Sequence, residues 1–341
     1  MPNPYASKSN EHFWRAAIAN LRLHEIDPVP AKRFAMADGT RISTAGSCFA
    51  QNVGKHLLRN HIVRLVIEEE VGPDEPLFSA LYGNIYTVRQ LLQLLTRAHG
   101  DFSPRDKAWL RNDGRYVDPF RPFIPNEGHA SPEDVEAART RHLQAVQRVF
   151  SSCDVFIFTL GLTEAWSADE DGAVFPVAPG IVSEFCSASQ YRFCNFSYDE
   201  CLADLEVFVA RFGKTNPSAR MILTVSPVPL TATYTDNHVA IATCHSKAVL
   251  RAVCSAAEER HENVFYFPSF ELISGHFTRG AYYQDNLRTI TARGLAHVMH
   301  LFEKTYRLET KPTKISTPTA FFDERDAEVI CDEGEIVDCD F

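Results

Sequence analysis

The sequence predicts an α/β protein built on a parallel sheet that helices cover on both faces. Three observations carry that prediction. Apolar runs of strand length alternate with stretches of helical period along the chain. Two of those runs, Asp154–Leu160 (DVFIFTL) and Arg220–Val225 (RMILTV), are nearly continuous in apolar residues, as strands buried on both faces are. With 341 residues and 45% hydrophobic composition, the chain can also bury a sizeable core, in one large domain or two small ones.

Residues 1–40 carry Pro2, Pro4, Pro28 and Pro30 around one apolar helical stretch near Phe13–Leu23, and read as a leader packed on the main domain. Residues 41–46 form the first strand and Phe49–Arg59 the first helix. His61–Ile67 (HIVRLVI) is β-branched and predicts a second strand. In Leu77–Arg97 the second half has helical spacing (Val88, Leu91, Leu92, Leu95), while Tyr82-Gly83-Asn84 interrupts its start. Ala98–Pro132 is rich in Pro, Gly, Asp and Arg without a sustained period, so it predicts a functional lid or insertion. Glu133–Phe150 is helical and leads into the buried strand Asp154–Leu160. A second irregular region follows from Ser167 to Ser197. Tyr198–Gly213 is a helix, Arg220–Val225 a strand, Val239–Arg260 a long helix, Asn263–Phe267 a strand and Thr289–Tyr306 the closing helix.

Composition excludes several function classes. No apolar run follows the opening MPNPYASKSNEHFWRAA, and charges interrupt the later apolar segments, so neither a signal peptide nor a membrane span is expected. The nine cysteines form no C-x-x-C pair and predict reduced thiols in a cytoplasmic protein, with no disulfide framework and no zinc site. Net charge is −10, and residues 321–341 account for −8 of it through nine carboxylates against Arg325. The tail, residues 309–341, is therefore a solvated extension or a contact for a protein partner. No basic stripe points to nucleic acid or an anionic membrane. P-loop, dinucleotide-binding and metal-ligand patterns are absent as well.

The stretch with most chemistry is Arg41–Asn60, RISTAGSCFAQNVGKHLLRN. It predicts a strand, a tight turn at Gly46-Ser47-Cys48 and an amphipathic helix. Such a turn presents a small nucleophile at its apex, and the helix aims unpaired N–H groups at whatever binds there. The alternative is an ordinary βα turn with Ser47 as the helix N-cap. In open parallel sheets ligands sit beyond the carboxyl ends of the strands, near the switch point. Ser47, Thr163-Glu164 and Ser226 all follow strand ends and can converge there.

The string Gly46-Ser47-Cys48-Phe49-Ala50 resembles the signature of the GSCFA domain, which belongs to the SGNH hydrolase-like superfamily. Tyr82–Thr87 (YGNIYT), Thr159–Trp166 (TLGLTEAW), Ser226-Pro227-Val228-Pro229, Ser246-Lys247 and Tyr266-Phe267-Pro268-Ser269 resemble the same family, over roughly residues 40–305. The resemblance implies a three-layer α/β/α, flavodoxin-like domain over residues 41–308 with irregular insertions. By superfamily analogy it implies ester hydrolysis or acyl transfer. The superfamily's serine nucleophile falls on Ser47, whose backbone N–H would also serve the oxyanion hole. Gly83 matches the glycine donor of the second block, with Asn84 beside it. The third block, normally Gly-x-Asn-Asp, here reads Gly161-Leu162-Thr163-Glu164, so a hydroxyl replaces the amide donor.

The last block departs furthest, because the usual Asp-x-x-His is Asp285-Asn286-Leu287-Arg288. A guanidinium stays protonated, so Arg288 cannot be the base for Ser47. The candidate bases are His245, His276 and Glu164. Asp285 with Arg288 could instead hold a carboxylate or phosphate ligand such as coenzyme A or a nucleotide-sugar, or merely staple the last helix. Cys48, at a helix N-terminus, is the rival nucleophile. These readings converge on a cytoplasmic serine-dependent acyl-ester hydrolase or O-acyltransferase. Its substrate would be a small molecule or glycan, plausibly a sugar precursor. No bound cofactor is expected, and acyl-CoA would be the co-substrate of the transferase version. The rival is a ligand-binding protein that keeps the cleft and has lost the catalytic histidine.

Overall fold

The computed structural model describes residues 3–29, 34–59, 64–65, 68, 78–183 and 188–306. The chain divides into two compact units. One comprises the described residues of Ala37–Tyr266, and the other those of Met1–Met36 and Phe267–Glu328. All of the predicted acidic tail, residues 309–341, lies outside the described residues, as do five of the seven residues of the predicted strand His61–Ile67.

The larger unit begins with β1 (Arg41–Gly46), α1 (Cys48–Arg59), β2 (Arg64–Leu65) and α2 (Val88–Ala98). A hairpin of β3 (Trp109–Leu110) and β4 (Tyr116–Val117) follows, then α3 (Pro132–Ser152) and β5 (Val155–Leu160). Next come β6 (Glu164–Ala168), β7 (Val174–Phe175), the short α4 (Pro179–Val182) and β8 (Tyr191–Asn195). The unit closes with α5 (Tyr198–Thr215), β9 (Arg220–Val225), α6 (Val239–Arg260) and β10 (Val264–Tyr266).

β2, β1, β5, β9 and β10 form one five-stranded sheet in that spatial order, and every neighbouring pair is parallel. This is the α/β class that the continuous apolar runs predict. All six residues of β5 are buried, as a strand with helices on both faces must be. Helix starts follow from local capping. Thr87 and Gln90 form a capping box on α2, and Ser197 and Glu200 form one on α5. Ser131 caps α3, with Pro132 at its first turn. The sheet grows outward in both directions from the β1–β5 pair, so the switch point lies between the ends of these two strands.

The two irregular stretches are structured. Here β6, β7 and β8 build a second, antiparallel sheet in the order β7-β6-β8. Trp109 and Val117 of the β3–β4 hairpin share a small core with Ala173 and Phe175, and Phe102, Phe120 and Tyr191 pack against it. The Trp109 and Phe175 rings lie 4.9 Å apart. The expected lid over residues 98–132 is thus, in large part, a wall tied to the second irregular stretch. Strands of two residues leave no period to read, and only this tertiary packing selects their pairing.

The smaller unit holds α7 (Ser269–Ser274) and α8 (Ala292–Tyr306). Its aromatic core joins Phe267 to Phe302 at 5.3 Å and Phe302 to Tyr306 at 4.8 Å between ring centroids. The apolar stretch near Phe13–Leu23 contains one π-helical turn, Arg15–Ala19, flanked by irregular backbone, in place of a regular helix. Among the described residues no helix is long and apolar enough to cross a membrane.

Candidate functional site

Ser47 stands where β1 gives way to α1, at the switch point. The turn that carries it is held from two sides. On one side β5 pairs with β1 so that Gly46 faces Thr159, and the Ser47 N–H donates to the Thr159 carbonyl at 3.1 Å. Gly46 has φ +143°, and a Cβ there would lie 2.5 Å from the Thr159 oxygen, so only glycine lets the strands approach so closely. On the other side the segment that interrupts the helical spacing, Tyr82–Thr87, closes over the turn. The Ile85 N–H donates to the Gly46 carbonyl at 2.8 Å, and the Tyr82 hydroxyl donates to the Thr44 carbonyl. Gln51, one helical turn beyond Ser47, donates to the Asn84 side-chain oxygen at 3.0 Å.

The loop after β5 completes the enclosure. The Tyr86 carbonyl accepts the N–H groups of both Gly161 and Leu162 at 2.9 Å. A Cβ on Gly161 would meet the Ser47 Cβ at 3.0 Å and the Tyr86 ring at 3.2 Å, so the missing side chain is what gives Ser47 its space. α6 fixes the same loop from behind. Lys247 Nζ donates to the Gly161 carbonyl at 2.7 Å, and the Ser246 hydroxyl accepts the Thr163 N–H at 3.0 Å. Both α6 residues are buried.

Within this frame Ser47 is only 2% exposed, and among the described residues its Oγ has no hydrogen-bond partner. A buried hydroxyl without a partner is uncommon and calls for an explanation. α1 starts at Cys48, so the positive end of its dipole faces this oxygen. Cys48, the rival nucleophile, is buried at the first position of the helix. Ser47 occupies the turn between β1 and α1. Its own N–H, however, is committed to Thr159, which takes away one expected oxyanion donor.

The other sequence-derived candidates occupy varied settings. Gly83 adopts φ +68°, and its N–H donates to no described residue. Thr163 is buried, and its hydroxyl donates to the Asn195 side-chain oxygen at 2.7 Å, toward the second sheet. Glu164 receives the Thr233 hydroxyl at 2.7 Å and the Tyr234 N–H at 3.2 Å, so both its oxygens hold the 233–234 loop. His245 is exposed on α6, next to the buried Ser246 and Lys247. Asp285, His276 and Arg288 belong to the smaller unit. There His276 is exposed and stacks on Trp14 at 5.1 Å, and Asp285 is exposed. In that loop the Asn286 side chain accepts the N–H groups of Arg288 and Thr289, at 3.0 and 2.9 Å. Among the described residues no cluster of three or more His, Cys, Asp or Glu side chains could hold a metal ion.

The profile of the GSCFA family matches residues 41–302, which takes in β1, the Ser47 turn and every element described around it. The chain belongs to the GSCFA family. No curated protein matches this GSCFA chain significantly. Among solved structures it is similar to an acetyl esterase mutant with an acetate ion, at 9% identity and a TM-score of 0.35, covering 79% of this chain and 100% of that one. It is also similar to a carbohydrate esterase family 3 protein from Talaromyces cellulolyticus, at 12% identity and a TM-score of 0.31, covering 78% of this chain and 95% of that one. The Gly46-Ser47 turn, the Tyr82–Thr87 segment, the Gly161 loop and the Ser246-Lys247 pair are thus one hydrogen-bonded assembly around Ser47.

Proposed function

We propose that this GSCFA protein is a serine-dependent acyl-ester hydrolase or O-acyltransferase with Ser47 as its nucleophile. The observation that carries this reading is the buried Ser47 Oγ without a partner, at the switch point and at the positive end of α1. In the proposed first step Ser47 Oγ attacks the acyl carbonyl, its proton passes to a base, and the ester's alcohol leaves carrying a proton. The acyl-enzyme then yields to water in a hydrolase, or to an acceptor hydroxyl in a transferase, where an acyl-CoA donor would release its thiol in the first step in place of the alcohol. The Gly83 N–H and the dipole of α1 would stabilise the oxyanion. Glycans or sugar precursors are the proposed acceptors or substrates. A histidine would serve as base, and His245, on α6 of the same unit as Ser47, is the residue to vary.

Steady-state hydrolysis of an activated aryl ester and of O-acylated sugars, followed from acid to alkaline pH, tests the reading. The expected rate rises through about pH 6–7, the range of an ordinary histidine, and falls at least about 10³-fold in Ser47→Ala. Equal rates in wild type and Ser47→Ala would sink it.

One observation favours a second reading. No acceptor among the described residues lies within hydrogen-bond reach of Ser47 Oγ. A protein that binds an acylated or anionic ligand without turning it over would have this geometry. It would show saturable binding and no hydrolysis at any pH.

A further inference from the structure

We propose that the larger unit holds a second binding site, centred on Arg97, for the oxyanion head of a small organic molecule. Arg97 lies at the end of α2, where the chain enters the stretch 98–132. It is only 7% exposed, and among the described residues its Nε and Nη2 have no hydrogen-bond partner. Its guanidinium lies over the Phe120 ring, 3.8 Å from the centroid. Nε and Nη2 share one edge of the guanidinium plane, and that edge matches two oxygens of a carboxylate or phosphate.

The charged groups around Arg97 are committed elsewhere. Asp118, 1% exposed, pairs with Arg139 at 3.2 Å and Arg121 at 3.4 Å. Glu136 pairs with Arg139 at 2.7 Å, Asp106 accepts the Tyr191 hydroxyl at 2.8 Å, and Lys107 donates to Ser103 at 2.8 Å. Three buried guanidinium groups therefore share one buried carboxylate. Leaving a charge buried without a partner is costly, and an apolar residue would cover Phe120 without that penalty. Packing alone does not account for an arginine here.

Space for a ligand adjoins it. Arg97 lines a cavity of about 280 Å³ whose walls include Phe102, Phe120 and Leu143, with Lys107 and Arg139 among its cations and the paired Asp106 and Glu136 as its carboxylates. That volume is at the small end of ligand sites, and the apolar walls suit an organic body. Arg97 also lines a cavity of about 20 Å³, which touches Asn84, Ile85 and His142 and has room for about one water. Burial pushes the Arg97 guanidinium down to about 10, with Asp118 opposing and Arg139 and Arg121 reinforcing the shift, so it carries its charge at neutral pH. A bound anion supplies the missing hydrogen bonds and adds negative charge where three guanidinium groups share Asp118.

This site does not depend on Ser47 chemistry, and its test keeps the two apart. Melting temperature is followed with inorganic phosphate, phenyl phosphate and benzoate against sodium chloride of equal ionic strength, with ³¹P line broadening as a direct reading of phenyl phosphate binding. Phenyl phosphate or benzoate is expected to raise the wild-type Tm by roughly 2–5 °C at saturation. Arg97→Met should melt higher than wild type without anion and lose the response. Arg97→Lys, which keeps charge but not the fork, should bind at least about tenfold more weakly. Ser47→Ala should respond in full. An equal rise in wild type and Arg97→Met, or no response of wild type to any of the three anions, would overturn the proposal. Inorganic phosphate binding as tightly as phenyl phosphate would overturn the organic body. Should Arg97→Met fail to fold, Arg97→Lys and displacement of phenyl phosphate by benzoate in the ³¹P spectrum decide the matter.

Discussion

Gly46→Ala is expected to destabilise the fold by roughly 3 kcal/mol or more, seen as a large fall in the urea midpoint. Two independent costs meet at this position. The backbone sits at φ +143°, which alanine rarely adopts, and the added Cβ would lie 2.5 Å from the carbonyl oxygen and 2.7 Å from the nitrogen of Thr159. Those atoms are backbone of β5, a strand paired on both sides, so they cannot give way as a flexible side chain could. Relief requires β1 to move off β5, which breaks the bond from Ser47 N–H to the Thr159 carbonyl and misplaces the Ser47 turn. Any Gly46→Ala protein that does fold should therefore have lost Ser47 reactivity too. A midpoint within experimental error of wild type would show that the two strands are not so closely apposed.

Asp118→Asn should cost a further large amount, about 3–5 kcal/mol, since it strands buried guanidinium groups. Burial on its own would raise the Asp118 carboxyl. The charges of Arg139, Arg97 and Arg121 and the Phe120 N–H outweigh that effect and hold it down at about 2. Because the folded value lies below the ordinary carboxylate value, the group contributes stability that is fully present above about pH 4. That contribution fades as pH falls from there through about 2, and amounts to roughly 2 kcal/mol. The difference in urea midpoint between wild type and Asp118→Asn should therefore shrink on acidification over this window. A difference that stays constant from neutral pH to about pH 2 would contradict the assignment.

These two residues also mark what can and cannot be read in the sequence. Gly46 stands in a strand–turn–helix pattern with a periodic helix behind it, and local chemistry alone points to a site there. The buried strands at Val155–Leu160 and Arg220–Val225 are legible for the same reason, since burial on both faces leaves a continuous apolar run. Asp118 sits in a Pro-, Gly- and Arg-rich stretch, while its partner Arg139 on α3 and Arg97 on α2, whose charge also acts on it, lie 21 residues away on either side. No local period announces such a cluster. β3, β4 and β7 are two residues each, and the cluster around Trp109 and Phe175 exists only once the chain has folded. Ser246 and Lys247 stand out in the sequence as a motif, but their work, holding the Gly161 loop from behind, depends on contacts more than 80 residues away in sequence. Thr163 shows the reverse error of scale: its position follows the strand end as expected, while its hydroxyl turns to Asn195 on the second sheet.

The central claim is that Ser47 Oγ is a reactive nucleophile. Intact mass after incubation with a fluorophosphonate, on wild type, Ser47→Ala and Cys48→Ala, tests it most directly. The account predicts a single adduct on wild type and Cys48→Ala and none on Ser47→Ala. An adduct that persists in Ser47→Ala, or no adduct on any of the three proteins, would contradict it.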